Sequence, residues 1–178
     1  MLHTYNCIMT DKRTANLLGA LALALADGMS EEVEARAEHG TAAPAALVTI
    51  GISPGSSINA LAQTIGLTHS ATVRLVDRLA TDELVERRGG EDRRTVGLYL
   101  TRNGIARRRA ILKGRNKILA KALSPLCNDQ KTKLTELMEI LLRGLTQNRI
   151  HADIICRLCD EDVCPQEHCP VESAVLRP

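Results

Sequence analysis

The sequence contains no tryptophan and no phenylalanine, and Tyr5 and Tyr99 are its only aromatic residues. A platform that stacks unpaired bases needs several exposed rings, so the composition argues against recognition of RNA or single strands. A Gly-rich phosphate loop of the P-loop or dinucleotide type is missing. So is an acid–base or nucleophile constellation with the pattern of a hydrolase. His69, Ser70 and Asp77 share one short helical segment, and no enzyme activity is expected from them. The apolar run from Ala15 to Ala26 is too short to span a bilayer, which needs about 20 residues. With Lys12-Arg13 before it, that run imitates a signal peptide. The competing reading is a buried interface helix continued by a polar stretch to Gly40. It is preferred because a helix-turn-helix pattern, which belongs in the cytoplasm, lies downstream. It carries the expectation of a cytoplasmic protein with no membrane partner.

What is present is aliphatic and unevenly charged. The chain has 178 residues, 44% of them hydrophobic, enough for one domain with a small appendage. Net charge is only +2, but residues 55–115 hold 12 Lys/Arg against 6 Asp/Glu. A basic middle with acidic ends suits a protein that meets a polyanion with one face, although a solvated surface of mixed charge is the ordinary fate of such residues.

The stretch from Ser57 to Thr101 organises the chain. Ile58, Leu61, Ala62 and Ile65 recur at helical spacing, and Gly66 closes that helix. Thr68 can cap a second helix, in which Val73, Val76 and Leu79 are expected to form the buried stripe. His69, Ser70, Thr72, Arg74 and Arg78 are then left to face outward. Two short helices around a tight turn make a helix-turn-helix. Leu84 to Arg88 and Thr95 to Leu100 read as strands around Gly89-Gly90, a hairpin whose tip carries Arg88, Arg93 and Arg94. The expected fold is mainly α with a small β-hairpin wing (α+β), a winged helix-turn-helix core flanked by long dimerisation helices.

These residues resemble the MarR family of bacterial transcription regulators. The likeness rests on Leu61-Ala62 with Ile65-Gly66-Leu67-Thr68, on Arg74 to Leu79, and on Leu84 to Arg88. It rests most specifically on Glu91-Asp92-Arg93-Arg94, followed by Leu98, Leu100, Thr101 and Gly104. Glu83 departs from the pattern: it stands where the family usually has glycine before the first wing strand. The resemblance implies a homodimer built from N- and C-terminal helices, double-stranded DNA as partner, and a lean towards repression. It also implies a wing arginine in the minor groove, here Arg94, oriented by Asp92. Arg88 and Arg93 are expected at phosphates. Thr68 is grouped with these contacts; His69, Ser70, Thr72 and Arg74 are the candidates for base edges and nearby phosphates, and Arg78 either joins them or pairs with Asp77 or Asp82.

The flanks are set by Pro and Gly punctuation. Residues 1–10 read as a loose N-terminus within a dimerisation segment spanning 1–40, and Pro44 opens the first helix of a DNA-binding domain spanning 41–104. Residues 105–150 read as C-terminal dimerisation helices broken at Pro125. The first should bury Ile105, Ile111, Leu112, Ile118, Leu119 and Leu123, with Arg107 to Arg109 as a solvated run. Asn128 or Asp129 should cap the second, whose stripe from Leu134 to Leu145 needs a partner helix. Cys7 and Cys127 read as a terminal and a packed thiol.

Residues 151–178 form a cysteine-rich tail outside the resemblance. Cys156, Cys159, Cys164 and Cys169 are spaced C-x2-C-x4-C-x4-C, with His168 beside the last as an alternative ligand. Four soft ligands at close spacing fit zinc. An iron–sulfur cluster uses the same ligands, and two Cys-Pro steps suit it. A disulfide or redox switch and free thiols on a disordered tail are the other readings. With so little apolar content, the tail is expected to draw its folding energy from metal.

The leading function is a sequence-specific duplex-DNA-binding regulator responding to a small molecule, a metal or a redox signal. The alternatives are a protein-interaction module that uses the winged helix for docking, and a metal- or redox-handling protein whose activity lies in the cysteines.

Overall fold

The computed structural model describes residues 2–34, 42–89, 96–164 and 166–176. Pro44 sits in the first turn of α2 (Ala43–Ile52), where its missing N–H breaks no helical bond. Every residue from Ala43 to Ile50 is buried, so α2 is the axis of the core. Around it lie α3 (Ile58–Ile65) and α4 (His69–Thr81), then the strands β1 (Val85–Gly89) and β2 (Val96–Leu100), then the long α5 (Arg102–Leu123). Leu61, Leu75, Leu79, Leu98 and Ile111 meet there with almost no exposure.

The helix-turn-helix forms as its sequence dictates. The Ser57 hydroxyl accepts the Ala60 N–H, which caps α3. Gly66 ends α3 at φ 69°, a left-handed conformation that a side chain would resist. The Thr68 hydroxyl then accepts the Ala71 N–H at 3.2 Å and caps α4. The buried stripe of α4 differs from the expected one. It runs Thr72, Leu75, Val76 and Leu79, while Val73 is only half-buried. Thr72 is fully buried because its hydroxyl donates to the Thr68 carbonyl, which satisfies its one polar group and leaves the rest to pack as a small apolar side chain.

Helix α4 ends in a Schellman motif. The Leu84 N–H reaches back to the Leu79 carbonyl, and Glu83 takes φ 56°. The backbone thus keeps the left-handed turn for which the family uses glycine, with Glu83 in its place. Thr101 caps α5 at the Gly104 N–H and donates its hydroxyl to the Glu83 carbonyl. Gly104 is obligatory here: a β-carbon would stand 1.9 Å from the Leu84 carbonyl oxygen.

In the wing, Val85 pairs with Leu100 and Gly89 with Val96 in an antiparallel ladder. Gly89 is therefore a ladder residue rather than half of the tip. Residues 90–95, which include Asp92, Arg93 and Arg94, lie outside the described residues. Ser56 adds a bridge to Leu98 on the other edge of β2.

Helix α1 spans Leu2–Glu34, so the N-terminus is helical rather than loose. The segment contains neither Pro nor an early Gly to stop it. It packs along α5, with Lys117 on Glu32 at 3.3 Å. Ile111 and Leu112 are buried in α5 as expected, but Ile105, in the helix's first turn, is 42% exposed. Helix α6 (Asn128–Leu145) is introduced by Cys127, whose N–H is taken by the Gln130 side chain. Cys127 is therefore an exposed cap position rather than a packed thiol, and the cap lies before the Asn128 or Asp129 where it was expected. No residue of α6 is buried; Leu137, Leu141 and Leu145 stand open, as do Leu17, Leu18 and Leu21 of α1. No helix is long and apolar enough to cross a membrane among the described residues.

The tail is helical and packs on the rest of the molecule. Helices α7 (Arg149–Cys156) and α8 (Pro170–Val175) flank a short 3-10 turn at Gln166–His168. Ala152, Pro170 and Val171 are buried, and Leu158 packs on the main core. Helix α7 lies against α3, and α8 against α6 and α7.

Candidate nucleic-acid interface

The exposed face of α4 is built from the residues that the core does not use. Thr68, His69, Ser70, Arg74, Asp77 and Arg78 are exposed; Thr72 is not, which removes it from the contact face. His69 is held at 2.6 Å from Nδ1 to Asn59 Oδ1. With Nδ1 donating, Nε2 of the neutral ring remains as an acceptor. Asn59 lies ten residues upstream, across the turn, and is part of the site that sequence spacing does not reveal. The Thr68 and Ser70 hydroxyls are 3.3 Å apart, so the cap also steadies the start of the helix. Arg74 and Arg78 have no ion-pair or hydrogen-bond partner among the described residues. Two solvated guanidiniums on one helix face are able to engage phosphate or guanine through their planar donor forks.

The wing stem locks onto this helix. Arg87 of β1 bridges to Asp77 of α4 at 2.7 Å. No local spacing predicts that pair, and it engages the Asp77 that Arg78 was expected to use. Arg88 lies in the strand rather than at the tip. It pairs with Glu86 and covers the Tyr99 ring at 4.6 Å. Its guanidinium is pushed above its usual range by the hydrogen bond to Glu86. Arg108, expected in a solvated run, is instead mostly buried and bound to Glu161 of the tail at 3.3 Å.

The four tail cysteines converge at a second place, away from α4. Cys156, Cys159, Cys164 and Cys169 all line one cleft of about 380 Å³ between the tail and helices α2 and α3. All four are free thiols. The neighbouring Cys156 thiol holds the Cys159 thiol down to about 6, helped by the Arg115 charge and opposed by burial. Cys159 in turn pushes Cys156 up, and burial pushes Cys164 up. His168, the alternative ligand, is exposed and does not line the cleft.

Comparison with known proteins agrees with this architecture. Residues 41–95 match the model of the MarR family. The structure of the YusO protein from Bacillus subtilis is 25% identical, covers 76% of this chain and 95% of its own, and superposes with a TM-score of 0.62. RV1404 from Mycobacterium tuberculosis is 26% identical, with 74% and 90% covered and a TM-score of 0.62. A MarR family protein from Bacillus stearothermophilus is 21% identical, with 78% and 96% covered and a TM-score of 0.68. No curated protein gives a significant match. The winged helix-turn-helix core, residues 41–95, is thus similar to the MarR family of regulators, and the fold around it is shared with solved structures of that family.

Proposed function

We propose that the protein is a homodimeric transcription regulator, acting as a repressor, that reads duplex DNA with α4 and steadies itself with the wing. The observation that carries this reading is the exposed face of α4. Its two free arginines and its fixed histidine stand on a helix capped at Thr68 and clamped by the Arg87–Asp77 pair. A helix held this firmly can present side chains to base edges at low cost in ordering. Arg74, nearer the helix start, takes a base; Arg78 takes a phosphate. Asp92, Arg93 and Arg94 would extend the contact into the neighbouring groove, as the family resemblance implies.

The dimer reading is supported by the open leucines of α1 and α6. Leu137, Leu141 and Leu145 are each about half exposed or more, on successive turns of one helix. A two-fold dimer would set two recognition helices about 34–36 Å apart, one turn of DNA. A cytoplasmic location accords with this role. Selection of bound sequences from a random duplex pool tests it. Enrichment of an inverted repeat with half-sites one turn apart is expected; enrichment of nothing, by a folded protein, contradicts it.

A further inference from the structure

We propose that Cys156, Cys159, Cys164 and Cys169 together hold one metal centre, a zinc ion or an iron–sulfur cluster, in the cleft between the tail and helices α2 and α3. Three independent observations meet there. The first is convergence. Four cysteines drawn from α7, the segment after it and the start of α8 line a single cleft. Four thiolates satisfy either centre, and both need the same soft ligand set.

The second is the opposite wall. Thr49 and Ser56 line the same cleft, and their hydroxyl oxygens are buried without a hydrogen-bond partner. Thr49 is 9% exposed. An unpaired buried hydroxyl is costly, so it points to an acceptor that belongs in the space. Metal-bound thiolates, or the sulfides of a cluster, are such acceptors, and hydroxyls facing them serve as the supporting outer shell. A disulfide would place only weak acceptors there.

The third is that the carboxylates on the wall are already engaged. Arg149 binds both Asp153 and Glu172, and Arg108 binds Glu161. The thiols are therefore the ligands left to an incoming ion. Among the described residues no three Cys, His, Asp or Glu side chains stand close enough as they are to hold a metal ion. Binding must therefore draw the thiols inward. Each thiol releases its proton to solvent as its sulfur takes the metal.

The position gives the centre leverage. Helix α7 lies on α3, which precedes the recognition helix, and α8 lies on α6, which carries the open leucines. A filled centre would staple the tail to both. An effect on DNA affinity rests on the DNA-binding reading above; the metal site itself does not.

The test uses the full chain purified without oxygen, with metal counted per chain and an absorption spectrum taken. One zinc in a colourless protein supports the site as a single-ion centre. Iron with matching acid-labile sulfide and visible absorption supports it as a cluster. Cys159→Ser and Cys164→Ser should each lose the metal, and Cys127→Ser should keep it. Stripped wild-type protein should take up zinc one to one, which decides the matter even where a variant folds poorly. No metal and four titratable thiols, a disulfide in the intact mass, or metal retained by the doubly substituted Cys159→Ser, Cys164→Ser protein would overturn the proposal. Metal is counted without DNA, so loss of the DNA-binding reading leaves this result standing.

Discussion

At the scale of single residues, Glu83 and Gly104 show how the turn into the wing is set. Glu83 occupies a left-handed backbone conformation at φ 56°, which costs an L-residue roughly 1–2 kcal/mol relative to glycine. Glu83→Gly is therefore expected to stabilise the fold by about 1 kcal/mol, seen as a melting temperature higher by roughly 2–4 °C. An unchanged or lower melting temperature would mean that the Glu83 side chain compensates. Gly104→Ala has the opposite sign. Its β-carbon has nowhere to go but into the Leu84 carbonyl, so loss of cooperative unfolding or of soluble protein is expected on circular dichroism. Arg74→Ala should relax preference at one base pair at a cost of about 1–3 kcal/mol. A uniform loss over all sequences would recast Arg74 as a phosphate contact.

At the scale of elements, α6, like α1, has an open apolar face. Its leucine stripe is legible from spacing alone, because aliphatic side chains at i, i+3, i+4 and i+7 read the same whether the covering surface is one's own chain or another's. Leu137→Lys with Leu141→Glu should turn a dimer into a monomer in light scattering, while the helical signal persists. A wild-type monomer at micromolar concentration would remove the dimer from the proposed function. Other elements are harder to read. In the stripe of α4, Thr72 rather than Val73 is buried, because Thr72 satisfies its hydroxyl on its own helix, and composition counts threonine as polar. The pairs Asn59–His69, Arg87–Asp77 and Arg108–Glu161 join residues from different elements, and no local pattern encodes them. By composition the tail is polar, and the burial of Ala152, Pro170 and Val171 is not legible in it because the rest of the molecule supplies the other surface.

At the scale of the whole molecule, one helix-turn-helix connects two peripheral systems. The capped α3–α4 unit is readable from Ser57 to Thr101, since Gly66, Thr68 and the strand-forming runs act locally. Its outward face presents arginines, and its back carries a cleft of thiols from a distant part of the chain. Basic charge concentrated at the middle of an otherwise near-neutral chain is what a duplex-binding role requires. The most direct measurement is the affinity of the full chain for a pool of duplex DNA across a series of salt concentrations. The logarithm of the affinity should fall linearly with the logarithm of salt. The slope should shrink by about 1 for Arg78→Ala, with the fold intact. Duplex affinity that is absent, or that does not change with salt, in a folded protein would contradict the DNA-binding role.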